Sequence, residues 1–248
     1  MIAKITYNNN TYTIDLSKPL DISISLRGNA SNVNAWYVGP PKIEPHMEGD
    51  FIGSVKEGAT TNFNDIHFNP HAHGTHTECL GHITEALQSV NQTLDQFFFL
   101  AEVITLVPEK FGKDFVLTKK QLQRALGNSE PEALVIRTLP NTKEKLSRNY
   151  SNTNPPYFQE DGVLFLVDKN INHLLVDLPS VDKEKDNGAL KAHKAFWGIE
   201  GSVRSKATIT EFVYVDHAIK DGSYFLNLQV APFENDASPS RPVLFSIV

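Results

Sequence analysis

A dense cluster of histidines is the feature of this sequence most suited to chemistry. Five of the nine histidines in the 248-residue chain fall within sixteen residues, where the average density would place fewer than one. Several neutral imidazoles that converge on one point are what a transition-metal ion requires, so the cluster favours a metal site. The five residues are His67, His71, His73, His76 and His82.

The spacing of His76 and Glu78 suits the binding of one ion. Residues i and i+2 of an extended strand lie on the same face, so this imidazole and this carboxylate point the same way. Gly74 lets the chain turn before them, and either His71 or His73 can then return to the same ion. The alternative is a polar loop of hydrogen-bonded histidines, which explains the carboxylate at strand spacing less well.

The composition excludes several classes of function. Lys and Arg number 23 and Asp and Glu number 29, which gives a net charge of −6 without a basic cluster and argues against nucleic-acid or membrane partners. The single cysteine, Cys79, allows neither an intrachain disulfide nor a Cys-rich zinc site, and we expect it to pack facing away from the histidines. The first residues lack a secretory or transit pattern, and we expect a cytoplasmic protein.

The elements that must position the cluster indicate one mixed α/β domain over residues 1–248. Neither a linker nor an internal repeat interrupts the chain. Residues 27–65 show no sustained hydrophobic periodicity, so we predict that they are mostly loop. Thr118 followed by Gln121 fits a capping box at the start of a helix, and Gly127 fits its end. The predicted strands are 2–7, 11–15 (after a turn at 8–10), 22–26, 101–107, 133–138, 173–176, 209–215, 224–231 and 243–248, and the predicted helices are 94–100, 118–127, 156–169 and 189–197.

The histidine segment resembles the signature of the putative cyclase family, which includes bacterial kynurenine formamidase and isatin hydrolase. That signature reads His-x-Gly-Thr-His-x-Asp-x-Pro-x-His. Four residues match it at the right spacing, Gly74, Thr75, His76 and His82, and three depart from it, with Ala72, Glu78 and Leu80 in place of the first His, the Asp and the Pro.

Further segments are similar to the family in the same order, so the resemblance spans nearly the whole chain. They include an opening segment, a strand that ends in Asp-x-x-Ser-x-Asp, a His helix, a Glu strand and a closing Pro-rich segment. In this sequence these are residues 20–23, 173–182, 192–196, 210–212 and 231–242.

The resemblance implies a swivelling β/β/α fold that binds one or two divalent ions. Imidazole and carboxylate donors suit zinc, manganese or iron, and we expect zinc or manganese. In the family the first ion takes the two motif histidines and the motif acid, and a second ion also takes the later His and Glu. Carried over by position, His76, Glu78, His193 and Glu211 are expected ligands. His82, the last motif histidine, is the expected catalytic acid/base.

Ala72 stands where the family has its first metal ligand. His71 and His73 flank this position, and a shift by one residue lets either of them replace the lost imidazole. We favour His71, because Pro70 and the following turn can swing its ring inward, and we keep His73 as the alternative. Glu78 is one methylene longer than the family's Asp, which displaces either the carboxylate or the ion.

These features together predict a metal-dependent amidohydrolase that acts on a small molecule. The expected bond is an amide or a cyclic amide, as in an N-formyl aryl amine, the substrate type of an arylformamidase, or in a lactam. The alternative, motivated by Ala72 and Glu78, is a non-catalytic binding protein that keeps the fold and has lost the metal site. Trp36 and Phe63 are candidate walls for an aromatic substrate. The resemblance also implies a homodimer or homotetramer, in which a neighbouring subunit completes the loop before residue 65.

Overall fold

This computed structural model describes residues 1–7 and 9–247, which contain eighteen strands, four short α-helices and three 3-10 helices. Asn8 of the predicted turn at 8–10 and Val248 of the last predicted strand lie outside the described residues. The α-helices are α1 (Val90–Thr93), α2 (Lys119–Leu126), α3 (Glu160–Asp168) and α4 (Lys191–Trp197). The strands are β1 (Ile2–Tyr7), β2 (Asn10–Asp15), β3 (Leu20–Asp21), β4 (Lys42–Pro45), β5 (Met47–Glu48), β6 (Phe51–Ile52), β7 (Asn64–His67), β8 (His76–Glu78), β9 (Phe98–Leu106), β10 (Glu109–Phe111), β11 (Asp114–Leu117), β12 (Ala133–Thr138), β13 (Tyr157–Phe158), β14 (His173–Val176), β15 (Thr208–Glu211), β16 (Gly222–Asn227), β17 (Ala237–Pro239) and β18 (Val243–Ser246).

A nine-stranded sheet is the framework of the fold. Its strand order is β17-β8-β15-β14-β12-β9-β16-β18-β3. The four central strands, β15, β14, β12 and β9, run parallel, and antiparallel strands extend the sheet on both sides. Every residue of β12 is buried, as expected for a parallel strand that is covered on both faces. The mixed α/β class predicted from the sequence is confirmed.

The two faces of the sheet carry separate apolar cores because side chains alternate along each strand. Leu134 and Ile136 of β12 point to the face that the helices α2, α3 and α4 cover. Ala133 and Val135 point to the opposite face, where they pack in a cluster with side chains such as Phe99. The helix-covered face is the one that carries the candidate site.

Local signals predicted several elements correctly. In the confirmed capping box of α2, the Thr118 hydroxyl accepts from the Gln121 backbone N–H at 3.3 Å and the Gln121 side chain accepts from the Thr118 N–H at 3.0 Å. Gly127 ends this helix with a φ of 51°. The predicted strands at 133–138 and 173–176 are also confirmed.

Two predictions about elements were wrong. The predicted helix at 94–100 overlaps β9, because Phe99 and Ala101 alternate into the apolar core while the backbone pairs with β16. The predicted strand at 22–26 does not form, since β3 comprises only Leu20–Asp21. The segment 27–65 is mostly loop as predicted, with short strands such as β4, which pairs with β7 in an antiparallel ladder. Within residues 1–7 and 9–247, none of the helices has the length and apolar character needed to span a bilayer.

A buried ion pair fixes the chain where it leaves β14 toward the site. Lys145 Nζ lies 2.7 Å from Asp177 Oδ2, and it also donates to the Thr138 carbonyl at 2.7 Å. The Asp177 carboxylate accepts the Thr138 backbone N–H at 2.8 Å. Burial raises the pKa of Asp177 and lowers the pKa of Lys145, so this pair is held in place at a desolvation cost.

Replacing Lys145 with methionine leaves the Asp177 carboxylate buried without its cation. We therefore expect Lys145→Met to lower the free energy of unfolding by about 3–5 kcal/mol, measured by urea denaturation. Lys143→Met is the matched control, because Lys143 is exposed two residues earlier, and it should change stability by no more than about 0.5 kcal/mol. Equal small effects of both substitutions would show that the pair does not anchor the loop.

Candidate metal centre

Strand β8 places two candidate ligands on the helix-covered face of the sheet. His76 lies opposite Glu211 of β15, and Glu78 lies opposite Ile209, a residue of the core beneath the helices. Thr77, between them, points to the other face, where its hydroxyl lies 2.8 Å from that of Thr210. The spacing of two residues therefore aims the imidazole, its partner carboxylate and Glu211 into one space.

His76 presents its Nε2 atom to this space. The ring is fully buried, and its Nδ1 lies 3.0 Å from the carbonyl oxygen of Gly74, which accepts the Nδ1 proton. Nε2 lies 3.5 Å from Glu211 Oε2 and has no hydrogen-bond partner in the described structure. Gly74 has a φ of 153°, a backbone conformation that favours glycine and that puts its carbonyl in reach of the ring.

Glu78 is the carboxylate around which the imidazoles gather. Its side chain is buried, and Oε1 lies 3.0 Å from His193 Nε2. Oε2 makes no hydrogen bond and lies 3.1 Å from His71 Nδ1, 3.7 Å from His82 Nε2 and 4.0 Å from His76 Nε2. Burial alone would raise the pKa of Glu78, but the surrounding imidazoles, with His82 the largest contributor, hold it well below its usual range.

His193 reaches the site from the first turn of α4. Asp182 accepts the backbone N–H groups of Ala192 and His193 at 2.8 and 3.1 Å, so it caps the helix, and it also accepts His193 Nδ1–H at 2.6 Å. His193 Nε2 is thereby turned toward Glu78. Burial opposes protonation of this ring, but the carboxylates of Asp182 and Glu78 outweigh it and raise the pKa of His193 to about 10.

Glu211 closes the inner side of the site. It is the last residue of β15 and is buried. Its Oε1 accepts the backbone N–H of Val181 at 3.1 Å, which ties the loop after β14 to the site. Its Oε2 faces His76 Nε2 and is 3.5 Å away.

His71 and His82 form the outer, partly exposed side of the site. Their rings stack with centroids 4.3 Å apart, and the exposed fractions of their side chains are 22% and 29%. Both contact Asp236, whose Oδ2 lies 2.9 Å from His71 Nε2 and 3.2 Å from His82 Nδ1. Burial lowers the pKa of His71, but the Asp236 and Glu78 carboxylates outweigh it and raise that pKa to about 10.

Sequence reasoning missed Asp236. This residue lies within the closing Pro-rich segment that resembles the family, just before β17, but nothing in its spacing relates it to the histidines. The pairing of β17 with β8 brings it there, and the Asp236 carbonyl accepts the Cys79 backbone N–H at 3.0 Å.

The Cys79 side chain is buried, and its thiol donates to the Gln88 carbonyl at 3.3 Å, in line with a packing role.

The structure does not bring His73 to the cluster. Its Nδ1 accepts the Asn69 backbone N–H at 2.8 Å and its Nε2 donates to the Gly39 carbonyl at 2.8 Å, so both ring nitrogens hold the loop together. His67 is an exposed residue of β7.

The two candidate substrate walls lie in different places. The Trp36 indole N–H donates to the His71 carbonyl at 3.1 Å, which puts Trp36 beside the site. Phe63 is 56% exposed and contacts His46 in the region of the β4–β7 ladder. Completion of the site by a neighbouring subunit stays a prediction.

Left-handed backbone conformations flank the site segments. Trp36, Leu190 just before α4, and Phe212 just after Glu211 have φ angles of 59°, 48° and 55°. Such conformations cost non-glycine residues on the order of 1–3 kcal/mol each and persist where surrounding contacts hold them. Phe212 is buried, and its carbonyl accepts the Thr75 hydroxyl at 2.5 Å, so one contact connects the Glu strand to the histidine motif.

The residues present fit a divalent metal ion. His76 Nε2 is a buried polar atom without a hydrogen-bond partner in the described structure, an arrangement that costs roughly 1–3 kcal/mol unless a ligand satisfies it. Glu78 Oε2 also makes no hydrogen bond there, and its charge is balanced by imidazoles such as His71, whose Nδ1 is 3.1 Å away. An imidazole and carboxylate donor set suits zinc or manganese. Among residues 1–7 and 9–247, three groups have ligand atoms within 4.8 Å of one another: His71, His76 and Glu78; Glu78, His82 and His193; and His71, His82 and Asp236.

Comparisons with known proteins identify the family and the fold of this chain. A model of the family described as "Putative cyclase" matches residues 14–183, which confirms the resemblance seen in the motif. No curated protein gives a significant sequence match. Among solved structures, a predicted metal-dependent hydrolase from Bacillus stearothermophilus is 18% identical with a TM-score of 0.64, and covers 92% of this chain and 98% of its own.

Two isatin hydrolases have the same fold. One, bound to the product analogue thioisatinate, is 15% identical with a TM-score of 0.66 and covers 93% of each chain. Isatin hydrolase A from Labrenzia aggregata, bound to benzyl benzoate, is 14% identical with a TM-score of 0.63 and covers 93% of this chain and 94% of its own. At these identities the likeness concerns the fold, and it confirms the fold type that the motif implied.

The positions of His71 and His73 predict opposite effects of their removal on metal binding. We expect His71→Ala to weaken zinc binding more than about 100-fold, since even the loss of a residue that only supports a ligand costs about 10–100-fold. His73→Ala should keep the affinity, because neither of its ring nitrogens faces the cluster. Competition with a chromophoric chelator measures both affinities, and loss of binding in His73→Ala alone would reverse the assignment.

The raised pKa values predict that metal binding releases protons. In the protein alone, His71 and His193 stay protonated up to about pH 10, and an ion must displace a proton from each ring nitrogen that it binds. The affinity for the metal ion should therefore rise from about pH 7 to pH 10. In the metal-free protein, the protonated imidazoles contribute their full stabilisation below about pH 6.5, and this stabilisation is lost as the pH rises toward 10. Calorimetry in two buffers of different ionisation enthalpy counts the protons, and equal binding enthalpies would contradict the prediction.

Proposed function

Because the chain belongs to the putative cyclase family, we propose that it is a metal-dependent hydrolase that cleaves an amide or cyclic amide bond. The observation that carries the proposal is the convergence of four imidazoles on the buried Glu78 carboxylate, where His76 Nε2 and Glu78 Oε2 make no hydrogen bond in the described structure. A site of this kind needs a cation to balance its carboxylates and has one partly exposed side where a small molecule can enter.

The proposed ligands divide into two overlapping sets. His71, His76 and Glu78 would hold one ion, and Glu78 with His193 and Glu211 would hold a second. A divalent ion supplies Lewis-acid polarisation of a carbonyl oxygen and lowers the pKa of a coordinated water from 15.7 to about 7. The ligands' own contribution is their fixed orientation, which the Gly74 carbonyl and Asp182 maintain through hydrogen bonds.

His82 is the proposed acid/base. It is the most exposed of the four imidazoles around Glu78, and its Nε2 points inward, 3.7 Å from Glu78 Oε2. Its Nδ1 faces the Asp236 carboxylate, which favours the imidazolium that forms when Nε2 takes a proton. His82 would accept a proton from the attacking water and return it to the leaving amine, a function worth roughly 10²–10⁴-fold in rate.

The substrate class is proposed from the chemistry of the site and the names of the similar structures. Isatin is an aryl lactam, and the neighbours bound to thioisatinate and benzyl benzoate accommodate aromatic ligands. Trp36, held beside the site by its bond to His71, supports an apolar wall for an aryl group. An N-formyl aryl amine presents the same planar amide on an aromatic ring, and both kinds of substrate belong in the test.

The same arrangement supports an enzyme over a non-catalytic binding protein. The departures at Ala72 and Glu78 motivated that alternative, since they alter two positions of the family motif. His71, however, supplies an imidazole next to the position vacated at Ala72, and Glu78 reaches four imidazoles despite its extra methylene. The set of ligand types that hydrolysis requires is therefore present.

Turnover by the zinc-loaded or manganese-loaded protein tests the proposal. We expect hydrolysis of N-formylkynurenine or isatin, followed by absorbance, and a loss of about 10²–10⁴-fold in kcat for His82→Gln, because the proton can no longer be transferred. His67→Ala is the matched control, since His67 is exposed on β7, and it should keep full activity.

Metal content measured on the same samples separates the outcomes. Retained metal with lost turnover in His82→Gln supports the acid/base role, and lost metal would make His82 a ligand instead. A wild-type protein that binds metal but hydrolyses neither substrate would favour a binding protein over an amidohydrolase.

A further inference from the structure

One carboxylate oxygen contacts two imidazoles on the outer side of the site. Asp236 Oδ2 lies 2.9 Å from His71 Nε2 and 3.2 Å from His82 Nδ1. The two rings stack with 29° between their planes, so both nitrogens approach the oxygen from the same side. The carboxylate is 24% exposed and is itself held by no other side chain in the described structure.

These contacts decide where the protons of both rings lie. An ionised carboxylate only accepts hydrogen bonds, so the nitrogen that faces Asp236 must be the protonated one. In the neutral rings, the lone pairs then belong to His71 Nδ1 and His82 Nε2. These are the atoms that face Glu78 Oε2, at 3.1 and 3.7 Å.

The backbone around Asp236 is anchored to the strand that carries the other ligands. The next residue, Ala237, lies opposite Glu78 in the pairing of β17 with β8. The Asp236 carbonyl accepts the Cys79 N–H at 3.0 Å, and the Asn235 carbonyl accepts the Val90 N–H at 2.8 Å. The position of this carboxylate is therefore set relative to Glu78 rather than to the loop that carries His71.

The contact between Asp236 and His71 matters because this chain has Ala72 where the family motif has a histidine. His71 reaches the site from one residue earlier, on a loop that does not belong to the large sheet. Its ring needs a partner outside that loop to hold one orientation, and Asp236 is such a partner. The same oxygen already faces His82, which links the two rings.

We propose that Asp236 is a positioning residue that sets the tautomers of His71 and His82 together. One carboxylate thus leaves His71 Nδ1 unprotonated, so that it can bind the ion, and leaves His82 Nε2 unprotonated, so that it can accept a proton. The inference rests on the proposed function for the meaning of those two nitrogens, but the tautomers themselves can be measured without an ion or turnover.

A competing arrangement makes the opposite prediction. His71, His82 and Asp236 also form a group whose ligand atoms lie within 4.8 Å of one another, so Asp236 could be a metal ligand itself. An ion held there would bind His71 Nε2 and His82 Nδ1, which reverses both tautomers. The state of the ring nitrogens therefore distinguishes a positioning carboxylate from a ligating one.

Long-range ¹H–¹⁵N correlation spectra of protein labelled at histidine report each ring's tautomer directly. We would record them for the metal-free and the zinc-loaded protein at about pH 8.5, above the ordinary pKa of histidine. The His71→Gln and His82→Gln variants assign the two signals. We expect His82 to be protonated at Nδ1 in both samples and His71 to be protonated at Nε2 in the zinc-loaded sample.

Removal of the Asp236 carboxylate should leave the His71 and His82 rings without a fixed tautomer. In Asp236→Ala we expect His82 to become a mixture of tautomers and zinc affinity to fall about 10–100-fold, as is typical when the partner of a ligating histidine is lost. Asp236→Glu keeps a carboxylate and should restore most of both properties. Glu234→Ala is the matched control in the same segment, because Glu234 bonds to Asn91 and Gln92 rather than to an imidazole, and it should change neither.

The outcomes separate this inference from the proposed function. Reversed tautomers in the wild-type protein, or unchanged tautomers in Asp236→Ala, would overturn the role of Asp236 even if the enzyme hydrolyses its substrate. Failure to find turnover would contradict the proposed function. The tautomer of His82 in the metal-free protein would still test the role of Asp236. If Asp236→Ala does not fold by thermal melting, Asp236→Ser removes the same acceptor and takes its place.

Discussion

The structure depends on one buried carboxylate, Glu78, and on the way the imidazoles around it are held. Each of the four rings has its outer nitrogen bonded to a protein acceptor: the Gly74 carbonyl, the Asp182 carboxylate or, for two rings, the Asp236 carboxylate. The inner nitrogens are consequently aimed at Glu78. A buried carboxylate is costly unless positive charge surrounds it, and protonated imidazoles or a divalent ion can both provide that charge. An exchange of protons for an ion would let the same residues keep this arrangement without metal and bind a divalent ion.

The fold brings these acceptors together from distant parts of the chain. Strand β8 supplies the Glu78 carboxylate, β15 places Glu211 opposite His76, and the pairing of β17 with β8 brings Asp236 to the site. Helix α4 is fixed at its N-terminus by Asp182, which at the same time orients His193. Because one residue caps the helix and orients the ligand, the position of the ligand is tied to the packing of α4 on the sheet.

Features that depend on local periodicity could be predicted from the sequence, whereas those that depend on strand pairing could not. The separation of His76 and Glu78 was enough to predict that they share a face, and the capping box of α2 lies within four residues. The choice between His71 and His73 depends on contacts with Asp236 and with Gly39, which lie 165 and 34 residues away in the chain. The wrong prediction of a helix at 94–100 has the same cause. A short apolar run fits both the spacing of a helix and that of a buried strand, and only its pairing with β16 shows that it is a strand.

The central claim is that a divalent ion binds beside Glu78 Oε2 rather than beside Asp236. An anomalous-scattering map of crystals grown with zinc and recorded across the zinc absorption edge tests it most directly. We expect a peak in contact with Glu78, His76 Nε2 and His71 Nδ1, with Asp236 hydrogen-bonded to the far side of the His71 ring. A map with no peak in the cluster, or with a peak held by Asp236 and the outer nitrogens of His71 and His82, would contradict it.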